Sequence, residues 1–345
     1  MEEQSLYRDV RTRICRMIYK DIYRDGENIP PERKLAEDLG VSRVTVRKAL
    51  KLLEEEHIIE RIQGSGTRVA LEYGARTGNM DIITLVAPAQ NAFFSRFIDA
   101  FQTTAEEMDS LVLFKQKSSR QSLEECLFRI YEKDLRNVVL WLEDMEISYE
   151  ALRKLRGLGM NIVLFDSTRK NSYADAVCLD NRGAVRQLME CLQNAGCKRP
   201  VLVSWEDFAS GSSVQIREQE FQKLCPEGTI VRVPREYHNH LDRLNQQTVE
   251  GYLKQLEDCD GVLYAVGELA SPFEQVAALK NMVHPVAMID EAPGVFAAQT
   301  FTVDQDFQGM STRIFSCLKR QNEKGSAWKA KVYQVKGIQV YQMSE

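Results

Sequence analysis

Gly40-Val41-Ser42-Arg43-Val44-Thr45-Val46-Arg47-Lys48-Ala49-Leu50 decides how the first 70 residues fold. At about 100° per residue, Val46, Ala49, Leu50 and Leu53 gather on one side of a helix. Arg43, Arg47 and Lys51, spaced by four, line an adjacent stripe that faces outward. Ser42 offers a side-chain oxygen to cap that helix, which is expected over 43–56. Upstream, 32–39 reads as a short helix ending at Gly40, so Gly40-Val41-Ser42 is the tight turn between two helices. Further upstream, Leu6, Val10, Ile14, Met17 and Ile18 form one apolar stripe, which predicts a helix over 6–24. Asp25-Gly26-Glu27-Asn28-Ile29-Pro30-Pro31 stops it. Downstream, Ile58 to Ala70 reads as two short strands around Gly64-Ser65-Gly66, whose glycines allow a sharp turn and a close approach to another surface.

A basic stripe on a helix, taken alone, is commonly a solvated face. Helix, turn, basic helix and hairpin in this order form a winged helix-turn-helix, in which such a stripe reaches phosphates and guanine edges of the major groove. The charge distribution is compatible with that. Residues 1–70 hold 14 Lys and Arg against 13 Asp and Glu, and the remaining 275 hold 31 against 37. A near-neutral head on an acidic body still presents a local basic face.

Three ordered motifs, Ile29-Pro30-Pro31-Glu32-Arg33-Lys34-Leu35-Ala36, the 40–50 stretch, and Gln63-Gly64-Ser65-Gly66-Thr67, closely resemble the DNA-binding head of the gluconate-repressor (GntR) family. The resemblance implies that Arg33, Arg43 and Arg47 contact operator DNA. It implies that Ser42, Thr45 and Lys48 support the major-groove contacts and that Gln63 and Gly64 sit at the wing tip near the minor groove. Two residues depart from the family pattern. Pro31 stands where a small residue such as serine is usual, and His57 replaces the glycine that follows the recognition helix.

Leu71 to Met80 lacks periodic apolar residues and reads as a linker. From Asp81 onward short apolar runs alternate with amphipathic stretches. Strands are expected over 82–87, 111–115, 137–142, 161–165, 176–179, 200–204, 229–233, 260–265, 285–289 and 300–303. Helices are expected over 94–108, 121–133, 148–158, 182–195, 212–224, 240–257, 268–281 and 306–320. This alternation predicts an α/β body of two doubly wound lobes. Ligands of such folds bind beyond the carboxyl ends of the strands. The loops there hold Asn91-Ala92-Phe93-Phe94-Ser95, Asp166-Ser167-Thr168, Ser212-Ser213 leading to Arg217, and Asp290-Glu291. Aromatic faces with converging Asp and Arg suit a small polar ligand such as a sugar, although each of these residues also has an ordinary role as core, cap or surface ion pair.

These segments, with Val177-Cys178-Leu179-Asp180-Asn181 and Val303-Asp304-Gln305-Asp306-Phe307, look like the effector domain of the lactose-repressor (LacI/GalR) family, which is of the periplasmic-binding-protein type I kind. The resemblance implies an N-lobe of about 81–193 plus 306–332 and a C-lobe of about 194–305 plus 333–345. It places Phe93, Phe94, Arg217 and Asp290 in an inter-lobe cleft, with Asn91, Arg182 and Glu268 as further candidates. One departure matters: Val266-Gly267-Glu268 stands where the family has Asn-Asp after the strand. The joining of the two families is similar in architecture to arabinose-operon repressors, with no sugar carried over.

The expected function is that of a cytoplasmic, ligand-responsive transcription regulator, a repressor and homodimer, with operator DNA and a carbohydrate effector as partners. The alternative is a DNA-binding regulator whose body is a ligand-free dimerisation module, and Val266-Gly267 favours it. No cofactor, metal or membrane partner is expected. The N-terminus shows no signal peptide, and the apolar runs are far shorter than the ~20 residues of a membrane span. The eight cysteines show no C-x-x-C pair and read as buried apolar residues. His238-Asn239-His240 lacks further ligands and reads as a surface loop. An enzyme is disfavoured, because no phosphate-binding glycine loop or nucleophile constellation is present and there are only four histidines.

Overall fold

The computed structural model describes residues 2–71, 80–87, 92–118, 120–142, 145–206, 212–238, 240–256, 258–295 and 299–343. Most of the expected linker and the candidate Asn91 lie outside the described residues. The chain divides into two compact units. The first comprises Met1–Phe165, Lys170–Ala176 and Ser311–Val332, and the second Asp166–Arg169, Val177–Met310 and Tyr333–Glu345. The crossings expected near 193 and 305 stand at 176 and 310, so the helix after residue 180 belongs to the second unit.

The head opens the first unit, with α1 (Glu2–Tyr19), β1 (Asn28–Ile29), α2 (Glu32–Leu39), α3 (Arg43–Glu55), β2 (Ile59–Ile62) and β3 (Gly66–Val69). The helix expected to reach Arg24 ends at Tyr19, because Asp21 adopts a left-handed φ of 59° and Ile22 closes back on the Met17 carbonyl. β2 and β3 form the wing hairpin, and β1, too short to show in the sequence, adds to β3 antiparallel. Val10, Ile14, Leu35, Val46, Ala49, Leu53 and Val69 are buried together, as the stripes of the sequence require.

The body follows as β4 (Ile82–Ala87), α4 (Ala92–Glu107), β5 (Leu111–Gln116), α5 (Leu123–Glu132), β6 (Asn137–Trp141), α6 (Tyr149–Gly157), β7 (Asn161–Phe165) and β8 (Asp175–Leu179). Then come α7 (Asn181–Asn194), β9 (Pro200–Trp205), α8 (Ser213–Leu224), β10 (Ile230–Val233), α9 (Gln246–Leu253) and β11 (Gly261–Tyr264). The chain closes with α10 (Ala270–Leu279), β12 (Val286–Ile289), β13 (Gln299–Asp304), α11 (Phe307–Lys324), β14 (Val332–Val335) and β15 (Ile338–Met343). Each of the expected body strands is present within about a residue of its expected bounds. β14 and β15 are additional to the strands expected from the sequence; their half-polar sequences lack a continuous apolar run.

Both body sheets use one strand order. The first runs β14-β8-β7-β6-β4-β5 and the second β10-β9-β11-β12-β13-β15, with only β15 observed antiparallel to its neighbour in the second. Within each, the first strand lies between the second and the third, the order of a doubly wound sheet with a switch point beside its first strand. β6, β7 and β9 are buried at every residue, as strands covered on both faces must be. The returning α11 is fixed in the first unit by Asp175, which is fully buried. Asp175 accepts from Gln321 Nε2 at 3.0 Å, Trp328 Nε1 at 3.0 Å and the Lys331 amide at 2.9 Å. The helix expected over 240–257 is broken into a 3-10 turn at Leu241–Arg243, then α9, because Asn245 caps a new start by accepting the Thr248 amide at 3.0 Å.

Candidate functional site

The head presents its candidates on a prepared surface. Ser42 is extended (φ −70°, ψ 150°) and accepts the Thr45 amide at 3.1 Å, while the two hydroxyls lie 2.8 Å apart. That cap starts α3 one residue before Arg43 and turns Thr45 inward, where it is buried. Arg33, Ser42, Arg43, Arg47, Lys48, Gln63 and Gly64 are all exposed. Arg47 Nη2 stands 3.1 Å from Glu32 Oε2, with Arg47 largely open to solvent, so this ion pair is a weak one. Gly64 and Gly66 hold φ of 78° and 100°, which L side chains rarely adopt, and a Cβ at either would meet nothing within 4 Å beyond its chain neighbours. Both departures from the family pattern leave a trace. Pro31 at the start of α2 makes no side-chain cap bond, and His57 takes a φ of 54° where glycine would be unstrained.

Residues 6–69 match the family described as "Bacterial regulatory proteins, gntR family". The head is a gntR-family domain. Over 72 residues it is 46% identical to the mannosyl-D-glycerate transport/metabolism system repressor MngR of Escherichia coli, covering 21% of this chain and 30% of that protein. Over 66 residues it is 41% identical to a probable fructoselysine utilization operon transcriptional repressor of Escherichia coli, covering 19% and 27%. The chain thus spans about 30% of the length of the curated relatives that it matches. The body is similar in fold to the Cra regulator of Pseudomonas putida in complex with fructose 1-phosphate, at TM-score 0.60 and 14% identity over 77% of this chain and 100% of that one. It is likewise similar to a LacI family regulator of Enterococcus faecalis with bound ribose, at TM-score 0.57 and 14% identity over 75% and 96%. Two α/β sheets of this order, following a gntR-type head in the chain, give the fold of a periplasmic-binding-protein type I body joined to a winged helix-turn-helix.

In the second unit the switch point lies between β9 and β11, and a polar cluster occupies its carboxyl end. Arg217, on α8, is buried. It donates from Nε to Asn181 Oδ1 at 2.7 Å and from Nη1 to the Ala265 carbonyl at 2.7 Å. Burial works against its charge, and Asp290 and Asp166 work for it. Asp166 accepts from Ser213 Oγ at 3.0 Å, and loss of water pushes its carboxyl up to about 6 despite Arg217. Asp290 holds a left-handed φ of 66° and accepts from the Gln305 amide at 3.1 Å and from Gln305 Nε2 at 2.8 Å. Glu268 accepts from Trp205 Nε1 at 3.0 Å and lies 3.5 Å from His238 Nε2. His238, expected in a surface loop, is partly buried, which lowers its basicity together with Arg235.

The glycine in Val266-Gly267-Glu268 has a steric reason. A Cβ at Gly267 would stand 1.7 Å from the Asp290 carbonyl oxygen. Backbone of Asp290 and Ile289 leaves no room for a side chain at this position, and the adjacent Glu268 supplies a carboxylate. Arg182 belongs to a different group. It pairs with Glu220 at 2.9 Å alongside Arg186 at 2.6 Å, apart from the bonds that organise Arg217. In the first unit Phe94 is enclosed, stacked on Trp141 at 4.7 Å, while Phe93 is partly exposed and lies 5.5 Å from Trp141. Asn181, Ser213, Gln305 and Trp205 were not singled out in the sequence. Ser213, Asn181 and Gln305 each sit inside a motif that resembles the effector family, whereas Trp205 carries no such signal.

Proposed function

We propose that this chain is a transcription regulator, a repressor in the sense of its relatives, which binds operator DNA through its gntR-type head as a homodimer. The exposed Arg33, Arg43 and Arg47 around a Ser42-capped helix carry this reading, because solvent-exposed guanidinium groups at a helix start suit the major groove. Thr45 and Lys48 seat that helix, and Gln63 and Gly64 form a wing tip able to follow a minor groove. The reading is a regulator rather than an enzyme. Selection of DNA from a random-sequence pool by the full chain tests it. A pseudo-palindromic enriched site supports the reading, and retention of no sequence over background contradicts it.

We propose further that the body takes a small carbohydrate-like effector at the carboxyl-end cluster of Arg217, Asp290 and Asp166, with Glu268 contributing specificity. Alternating donors and acceptors at a switch point suit several hydroxyls at once. The names of similar structures with bound sugars agree with this class without fixing the sugar. Thermal-shift screening against pentoses, hexoses and disaccharides tests it, since a ligand of the folded body raises its midpoint. A second reading, a ligand-free body used for dimerisation, is favoured by the Gly267 approach to Asp290. A full panel of sugars without any shift would support that second reading. No helix among the described residues is long and apolar enough to cross a membrane.

A further inference from the structure

The head shares one continuous apolar core with the α5–α6 side of the first unit. Tyr131, on α5, is fully buried at the centre of this contact. Its hydroxyl donates to Cys15 Sγ of α1 at 3.3 Å. Two guanidinium groups stand over its ring, Arg136 at 4.0 Å and Arg11 of α1 at 5.1 Å, and Arg11 is itself held by Glu56 Oε2 at 3.0 Å from Nε. Around it, Arg16 donates to Glu132 at 2.8 Å and 2.5 Å and to Glu125 at 3.3 Å. Tyr19 stacks on Phe128 at 4.6 Å. On the α6 side, Lys154 reaches Asp21 at 2.5 Å and the Tyr19 carbonyl at 3.3 Å, and Arg153 reaches Asp25 at 2.9 Å. Leu71, at the end of the head, packs against Gly157, where a Cβ would come within 2.8 Å.

These contacts differ from those of a domain on a flexible tether. A tethered head carries a polar surface towards its neighbour, whereas here aromatic and aliphatic groups are buried across the contact and four ion pairs ring it. A buried aromatic that contacts two cations resists sliding, because cation–π contact and hydroxyl bond are lost together. The contact involves α1 and the turn after it, while Arg33, Arg43, Arg47 and Gln63 remain exposed with the head docked. Docking is therefore a mount for the DNA-reading surface and not a mask over it.

We infer that the head and the α5–α6 face form one rigid body keyed by Tyr131, and that this body fixes the direction in which the recognition helix is presented. The structural half stands by itself. The regulatory consequence, that changes in the body reach DNA by moving head and lobe together, rests on the proposed function.

Hydrogen exchange on the full chain reads the docking directly. In the wild type, amides of α1 from Val10 to Tyr19 should match those of α5 in protection, since both are released by one opening. Tyr131→Ala should speed exchange in both segments at least tenfold while β9 and β11 of the second unit stay unchanged. Arg16→Glu and Glu132→Arg should each speed exchange in α1, and the double charge swap should restore most of the protection. Acceleration confined to α5, or a double swap worse than either single variant, would overturn the docking. DNA selected from a random pool reads the consequence. The wild type should enrich half-sites at one spacing, and Tyr131→Ala should broaden the spacing while keeping the half-site sequence. Unchanged spacing would overturn the mount, and failure of the wild type to enrich any DNA would instead sink the regulator reading while leaving the exchange result intact.

Discussion

Adding a single methyl group at Gly267 should destabilise the second unit severely. A Cβ there would lie 1.7 Å from the Asp290 carbonyl oxygen, 2.8 Å from its carbon and 3.2 Å from the Ile289 oxygen. An ordinary carbon–oxygen contact is about 3.3 Å, and every atom met is backbone, so no side-chain rotation relieves the overlap. Asp290 must move by more than about 1 Å, at a position already held in a left-handed conformation. That displacement breaks the two bonds its carboxylate receives from Gln305, at 3.1 Å and 2.8 Å. Each charge-assisted bond is worth about 1.5–3 kcal/mol, so Gly267→Ala should cost about 3–6 kcal/mol. For a unit of this size the unfolding midpoint falls by about 10 °C. Gly251→Ala is the matched control, because it lies inside α9 with nothing within 4 Å of a built Cβ. It should stabilise by about 0.5–1 kcal/mol through helix propensity. Urea and thermal unfolding of the full chain, followed by far-UV circular dichroism, compares the two. A cost below about 1 kcal/mol for Gly267→Ala would refute the steric account of this departure, as would equal destabilisation by both substitutions.

Ser42→Ala removes the cap that accepts the Thr45 amide, and should lower head stability by about 1 kcal/mol; exchange rates in the first turn of α3 that match wild type would contradict this. Asp166 gives a pH signature. Its carboxyl is pushed up to about 6 from 3.8, so the fold favours the protonated form. The stability this confers is present below about pH 4 and is lost as pH rises through about 6. The wild type should therefore lose ground to Asp166→Asn between pH 4.5 and 7.5 in urea titrations, and a pH-independent difference would show that the site is well hydrated. Arg217→Met strands the Asn181 oxygen and the Ala265 carbonyl and strips Asp166 of its cation. It should cost about 3–5 kcal/mol and abolish any sugar-induced thermal shift; normal stability with an intact shift would remove Arg217 from the site.

Much of this architecture was legible in the sequence because it rests on periodicity. The 3.6-residue stripes of α1 and α3, and continuous apolar runs such as Val138 to Leu140, report burial that depends on local pattern alone. Ser42 and the wing glycines were legible for a similar reason, since caps and positive φ demand particular residue types. What remained hidden depended on distant partners. Tyr131 reads as one more aromatic on an amphipathic helix, and only the folded chain places Cys15, Arg11 and Arg136 around it. The early end of α1 follows from Asp21, whose carboxylate is taken by Lys154 across 133 positions of sequence. Gly267 drew attention as a departure from a motif, but its cause is a carbonyl on the neighbouring strand end. β14 and β15 are strands at the sheet edges, and β14 has no fully buried residue, so neither carries the continuous apolar run that marks a central strand.

The most direct test of the central claim is the affinity of the full chain for its selected DNA, measured by fluorescence anisotropy across a salt series. The wild type should bind with a steep negative dependence on salt. Arg43→Ala and Arg47→Ala should each weaken binding by about 1–3 kcal/mol while leaving the unfolding midpoint unchanged. Both variants binding as tightly as wild type, with the same salt slope, would contradict the assignment of α3 as the element that reads DNA.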